Sequence, residues 1–277
     1  MSLPFGARTF TEARDISRAQ VLHGSSVLAL LNRQYTRDKD GKFSSTGGVR
    51  DSLAGAKTID DLNAAAMSEA RRITGRDIPF DMTGSDLGIA KDHVEGIMQG
   101  LERFPDATLV GVHTYGPGAA STGFRTEVDR LHPDASAVTQ AHGVMEGGRL
   151  VVKSNVYFNT RNSEDPAAYR TMRETGHREG YLATGTPTGT ALHEFGHVVT
   201  NQTGVKAAAY DRAVEMADAA GVIPRTHISR QVSKYAASDM GEFAAEAFAD
   251  VMTNGAGASE VSRAAFDVIE SAYKEGT

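Results

Sequence analysis

The chain has no cysteine among its 277 residues. Disulfides and thiolate metal sites are therefore excluded, and any metal must be held by imidazole and carboxylate groups. Long apolar runs are missing as well, and nothing approaches the roughly 20 apolar residues that a membrane-crossing helix needs. The opening stretch, MSLPFGARTFTEARD, lacks the apolar core of a signal peptide. These absences lead us to expect a soluble, cytoplasmic protein with no membrane partner. A basic stripe is also wanting. With 29 Lys and Arg against 35 Asp and Glu, the formal charge is −6, and the mixed signs argue against nucleic acid as a partner. No internal repeat or low-complexity tract is evident.

At 40% hydrophobic, the chain is long enough for one generous core with some appended structure. Residues 11–35 read as a helix, because Ile16, Ala19, Val21, Leu22, Val27, Leu28 and Leu31 fall near a 3.6-residue period. The following YTRDKDGKFSSTGGVR is charged, rich in glycine and serine and without periodicity, which marks a linker. We therefore expect an N-terminal helical arm and flexible linker over 1–50 and one domain over 51–277.

Within that domain a helix should begin at Thr58, with Asp61 completing a capping pattern, and stop near Gly75. Another should run from Ser85 to about Arg103, ahead of Pro105. Thr108 to Thr114 is a short β-rich run, and Ala137–Met145 and Arg149–Phe158 flank Gly147-Gly148 as a hairpin. In the second arm Leu150, Val152, Val156 and Phe158 share one face, while Lys153, Asn155 and Tyr157 share the other. Residues 160–186 are polar and irregular, as a surface insertion would be, and everything after Pro187 reads as helical. The expected fold class is α+β, mainly helical, with a small mixed sheet beside the helix that opens at Pro187.

That helix carries His193-Glu194-Phe195-Gly196-His197. Residues four apart stack on one helical face, so both imidazoles can reach one ion, while Glu194 is displaced toward a water beside it. A zinc ion with three protein ligands keeps a fourth position open, lowers the pKa of water there to about 7 and polarises a carbonyl. Glu194 would take the proton and pass it to a leaving amine. The plainer alternative is two histidines that fall four apart by chance on an amphipathic helix. Against it, Ala191, Leu192, Phe195, Val198 and Val199 make the helix a buried one, where unpaired imidazoles are poor residues. Gly196 costs roughly 1 kcal/mol relative to alanine in a helix interior, which suggests that another segment packs closely against it.

A third donor is expected from the segment in which Glu242, Glu246 and Asp250 repeat every four residues among Ala and Phe. Carboxylates in a row usually mark a solvated face. Here the remaining residues are so apolar that the helix must be buried on most sides, leaving one polar seam that needs cations or donors. Glu242 is the ligand candidate. Glu246, one turn on, is placed to receive the second ring N–H of a ligand histidine. Asp250 either extends that role or caps local structure.

The motif helix, followed by Tyr235 and, seven residues later, by the stretch Glu242-Phe-Ala-Ala-Glu246-Ala-Phe, resembles the catalytic domain of anthrax lethal factor. It is similar more broadly to zincin metallopeptidases whose third ligand is a glutamate, including peptidase domains of tailed-phage head proteins. The resemblance implies that one zinc ion is held by His193, His197 and Glu242. It further implies Glu194 as general base and Tyr235 as the phenol that stabilises the developing oxyanion, a role open to a phenolic O–H. It covers the C-terminal part of the chain; upstream, the order of elements is merely compatible. Phe243-Ala244 stands where the family pattern usually carries two aromatics, a change that touches no ligand. In that architecture the hairpin strand ending at Phe158 would border the cleft and offer its edge to an extended peptide.

The resulting expectation is a zinc endopeptidase acting on a protein or peptide substrate, associated with a phage or prophage, with packaging in a virion as one location open to it. Two alternatives accompany it: an injected effector toxin peptidase, and a non-catalytic virion or regulatory binding protein that keeps a structural zinc. His23, His93, His113, His132, His142, His177 and His227 have no comparable partners in spacing and are expected to be structural or exposed. His177, in the segment before the motif helix, could approach the cleft.

Overall fold

The computed structural model describes residues 53–120 and 123–276. The helix expected over 11–35, the linker after it and the boundary at residue 50 lie outside them. The described chain is mainly helical, with one small mixed sheet.

Helix α1 (Ile59–Thr74) begins where Thr58 accepts from the Asp61 amide and the Asp61 carboxylate accepts from the Thr58 amide, the reciprocal pair expected of a capping box. A two-residue strand β1 (Phe80–Asp81) leads to α2 (Leu87–Arg103), capped by Asp86. Then come β2 (Leu109–Tyr115), α3 (Gly123–Leu131) and the hairpin β3 (Ala137–Glu146) and β4 (Arg149–Asn159). A short 3₁₀ turn at Thr160–Ser163 precedes α4 (Pro166–Arg178). The rest is α5 (Pro187–Thr203), α6 (Lys206–Ala219), α7 (Pro224–Gln231), α8 (Met240–Asn254) and α9 (Glu260–Gly276).

The sheet order is β1-β2-β4-β3. β1 and β4 run parallel to β2, and β3 runs antiparallel to β4. Two expectations are corrected here. The strand ending at Phe158 is not the edge: β4 is paired on both sides, and among the described residues the edge on the hairpin side belongs to β3. Leu150, assigned to the buried face, is 70% exposed, because the hairpin tip extends beyond the core, while Tyr157 is buried in a second small cluster with Tyr115 and Val128. The stretch 160–186 also differs from the irregular insertion expected, since Asp165 caps α4 within it by accepting from the Ala168 amide.

Motif helix α5 is held between α2, α8 and the sheet. Val112, Val156 and Phe158 face the main core, together with Ile97 from α2, Phe195 from α5 and Phe248 from α8. Phe248 is a hub, its ring centroid 5.4 Å from Phe104, 6.1 Å from Phe195 and 5.4 Å from Phe266. Each such fully buried side chain contributes about 1.5–3 kcal/mol through the area it removes from water.

Glycines set the spacing around α5. A Cβ on Gly96 would lie 2.6 Å from the Thr188 carbonyl oxygen, and one on Gly100 would lie 2.5 Å from the Phe195 ring. On the other side, a Cβ on Gly196 would lie 3.0 Å from Phe248 Cβ and 3.1 Å from Ala245 Cα. The close packing expected at Gly196 is therefore against α8. We expect Gly96→Ala to destabilise the protein by about 1–3 kcal/mol, since a methyl here meets backbone that cannot turn aside. That loss exceeds the gain of about 1 kcal/mol in helix propensity. Urea denaturation measures it, and a stabilised variant would disprove the close packing.

Candidate metal centre

Local sequence fixes where each donor sits. Thr186 caps α5 by accepting from the Gly189 amide, Pro187 takes its first position, and Gly204 ends it in the left-handed region at φ 71°. His193 and His197 thus fall on one face of a buried helix. In α8, Asp239 accepts from the amides of Gly241 and Glu242. That cap pins the backbone of Glu242 in the first turn, and Glu246 follows one turn later.

The three expected donors converge. His193 Nε2 and His197 Nε2 are 3.2 Å apart, and Glu242 Oε2 lies 3.0 Å from the first and 3.5 Å from the second. A tetrahedral ion with bonds of about 2.0–2.1 Å spans ligand atoms about 3.3 Å apart, so these separations suit one such ion. Among the described residues, this is the one cluster of His, Asp and Glu whose ligand atoms are so grouped. Glu242 Oε2 is moreover buried, with the two imidazole nitrogens beside it and no well-aligned hydrogen bond from either, a position that a shared cation would compensate. His193, His197 and Glu242 can therefore hold a metal ion.

Glu246 lies behind His193. Its Oε1 is 2.9 Å from His193 Nδ1, and its Oε2 accepts from the Ala183 amide at 2.6 Å and from Ser233 Oγ at 2.8 Å. The His193 Nδ1–H is thereby directed to Glu246, which turns Nε2 toward Glu242 and His197. Burial works against the charged imidazole, but Glu242 and Glu246 prevail and push His193 up to about 10. Burial likewise opposes the Glu242 carboxylate, and the two imidazoles hold it well below the usual carboxylate range.

Glu194 is 6% exposed and lines a cavity of about 260 Å³ with His193, Tyr235 and Glu246. Thr139 Oγ1 lies 2.7 Å from its Oε2 and 3.0 Å from its carbonyl oxygen, so the edge strand β3 orients the side chain. Tyr235 stacks on His193 with ring centroids 5.8 Å apart and, on its other side, faces Tyr181 at 6.0 Å. Its loop is tied down by two backbone bonds, Lys234 N to Gly180 O and Tyr235 N to Tyr181 O. Burial first, then the carboxylates of Glu242 and Glu194, raise the phenol well above its ordinary pKa, which keeps its proton available for donation.

Of the residues singled out in the sequence, His193, Glu194, His197, Tyr235, Glu242 and Glu246 all meet here. Asp250 does not join them. It accepts from Asn254 Nδ2 at 2.7 Å and from the Ser259 amide at 3.1 Å, which makes it a local cap between α8 and α9. His177 is exposed and does not line the cavity; its Nδ1 lies 3.1 Å from the Leu182 carbonyl oxygen. His93 is buried, stacked on Phe158 at 4.0 Å, and pushed down to about 3 by burial and by Arg173 and Arg170, which keeps it neutral. Thr139, Ser233 and Arg173 were not anticipated, and no short-range spacing connects them to the motif.

If one ion sits between these donors, alanine at His193, His197 or Glu242 should abolish stoichiometric metal content in elemental analysis of the purified chain. Glu246→Gln presents an amide N–H where Ala183 and Ser233 donate, and should weaken metal affinity about 10–100-fold without removing a ligand. Full metal retention after loss of Glu242 would contradict the assignment. Comparison with known proteins returned no matching family model, no matching curated protein and no matching solved structure.

Proposed function

We propose that the protein is a zinc-dependent endopeptidase of the zincin type. The observation that carries this reading is the convergence of His193, His197 and Glu242 on one point, with the carboxylate of Glu194 beside it in an accessible cavity. A site built only for stability needs no such carboxylate. The donor set of two imidazoles and one carboxylate is that of a catalytic zinc with an open fourth position. A zinc ion there would acidify a water to near neutral pH and polarise the substrate carbonyl.

The chain's own groups would do the rest. Glu194, held by Thr139, removes a proton from the water as its oxygen attacks the carbonyl carbon, and delivers it to the amide nitrogen as the C–N bond breaks. The products are a carboxylic acid and an amine, and Glu194 is returned ionised. Tyr235, kept protonated by burial and by its carboxylate neighbours, donates to the carbonyl oxygen as that oxygen becomes negative. Glu246 holds His193 in its ligating orientation and never meets the substrate.

A peptide substrate is favoured by what flanks the cavity. Its wall includes Ala137, the first residue of β3. Among the described residues β3 is paired only with β4, so an extended peptide could add to its other edge through main-chain hydrogen bonds. A chain so bound passes alongside α5, where Thr139 already contacts Glu194.

With zinc supplied, we expect the protein to cut casein or itself, and a chelator to stop it. Glu194→Gln should keep its zinc and lose turnover. Tyr235→Phe should keep its zinc and lower kcat by about 10²-fold or more, as loss of one oxyanion donor does elsewhere. Turnover unchanged in the Glu194→Gln protein would refute the reading.

A further inference from the structure

Helix α4 is polar along most of its surface, and its buried residues are Tyr169 and Arg173, four apart on one stripe. An apolar residue is the ordinary occupant of such a position. A buried arginine is usually matched by a carboxylate, because an unpaired guanidinium is expensive to remove from water. The neighbours on this helix follow that rule. Tyr169 Oη lies 3.2 Å from Thr190 Oγ1, and Arg170 pairs with Asp92 at 2.5 Å.

Arg173 is the exception. It is 7% exposed, its Nε is buried without a hydrogen-bond partner, and no described carboxylate forms an ion pair with it. It lines the same cavity as His193, Glu194 and Tyr235. The carboxylates sharing that cavity do not neutralise it. Glu194 is taken up by Thr139, and Glu246 by His193, Ala183 and Ser233. Asp134 is exposed and makes no ion pair with it. The nearby imidazole of His93 is neutral.

We infer that Arg173 receives a carboxylate of the substrate beside the reacting bond. On the peptidase reading, on which this rests, the carboxylate is either an acidic side chain flanking the cut or the free C-terminus of a short peptide. Guanidinium is suited to both, since its fork donates two parallel hydrogen bonds to a carboxylate. A cavity of about 260 Å³ has room for one substrate side chain, not for an extended segment. Filling it would exclude water from the ion pair and strengthen the attraction.

The test uses the full chain loaded with zinc. Two randomised peptide libraries, one amidated and one with free C-termini, are digested and the cut sites read by mass spectrometry. A side-chain carboxylate as ligand enriches Asp and Glu next to the cut about ten-fold or more in both libraries. A terminal carboxylate instead confines cutting to the ends of the free-carboxylate library. In either case Arg173→Gln should abolish the preference while neutral sequences are still cut, and Arg173→Glu should shift it toward Lys and Arg. Equal cutting of acidic and neutral sequences in both libraries overturns the inference.

Two further readouts keep it separate from folding and from the peptidase reading. Arg173→Met, which removes an unpaired buried charge, should melt no lower than the parent; a marked drop in melting temperature shows a structural arginine and counts against the proposal. Calorimetry on the Glu194→Gln protein with acetyl-glutamyl-glycinamide, acetyl-glutaminyl-glycine and acetyl-glutaminyl-glycinamide needs no turnover. Binding of a carboxylate-bearing probe that Arg173→Gln removes, in a chain that cuts nothing, sinks the peptidase and leaves the anion site standing. Cutting without any advantage of those probes over the neutral one does the reverse.

Discussion

The site depends on how closely α5 and α8 approach. Gly196, inside the histidine motif, faces Ala245 and Phe248 with no room for a side chain of its own. That contact brings the carboxylates of Glu242 and Glu246 within 3.0 Å and 2.9 Å of the two nitrogens of His193. On another face of α5, Gly96 and Gly100 let α2 come comparably near. The motif helix is thus clamped between two helices, and the position of its histidines is set by packing before any ion is considered. Interiors packed to such density resist small displacements, which is what a ligand set needs in order to keep its geometry.

Clamping a helix this tightly removes its polar groups from water, and each then needs a partner. Glu246, about 1% exposed, has three donors: His193, Ala183 N and Ser233. Burying a carboxylate costs several kcal/mol when it is unpaired, so these bonds are what permit it at the centre of α8. Glu194 has Thr139, which comes from the sheet edge. Glu242 differs, because its Oε2 has two imidazoles near it and no properly directed donor. Of the three carboxylates, Glu242 is the one whose neighbours are the two imidazoles of the motif, so its oxygen faces a place where an ion could be shared.

Much of this was legible in the residues themselves. The helix carrying the motif announces both its ends, with Thr186-Pro187 at the start and Gly204 at the stop, and a four-residue repeat of carboxylates within Ala and Phe marks the polar seam of α8. These signals are local, and local physics produces them. Thr139 and Ser233 were invisible for the opposite reason: they reach Glu194 and Glu246 from segments whose own patterns say only strand and turn. Helix α4 was missed because its buried stripe is a tyrosine and an arginine, which leaves no apolar periodicity to read. The edge of the sheet was assigned to the wrong hairpin arm, since the pattern around Gly147-Gly148 tells which segments pair and not which of them gains a second neighbour. Asp250 shares the spacing of Glu242 and Glu246, yet the turn that follows α8 claims it.

The departures from ordinary helix patterning gather around one cavity. α5 places two imidazoles and a carboxylate in a largely buried helix, α8 places two carboxylates, and α4 places a guanidinium on its buried stripe. Those of α5 and α8 alone have a plain explanation, because helices tolerate an occasional buried polar residue with a partner. Together they require three separate segments to have set aside their packing preference at the same point in space. Sequences are locally consistent with their fold except where function intervenes, and perturbed titratable groups concentrate at such places. The guanidinium sharpens the argument, since it takes part in neither the ligand set nor the hydrogen bonds behind it. A metal site that served stability alone would account for α5 and α8 and leave Arg173 unexplained, whereas the proposed anionic substrate would account for all three helices at once.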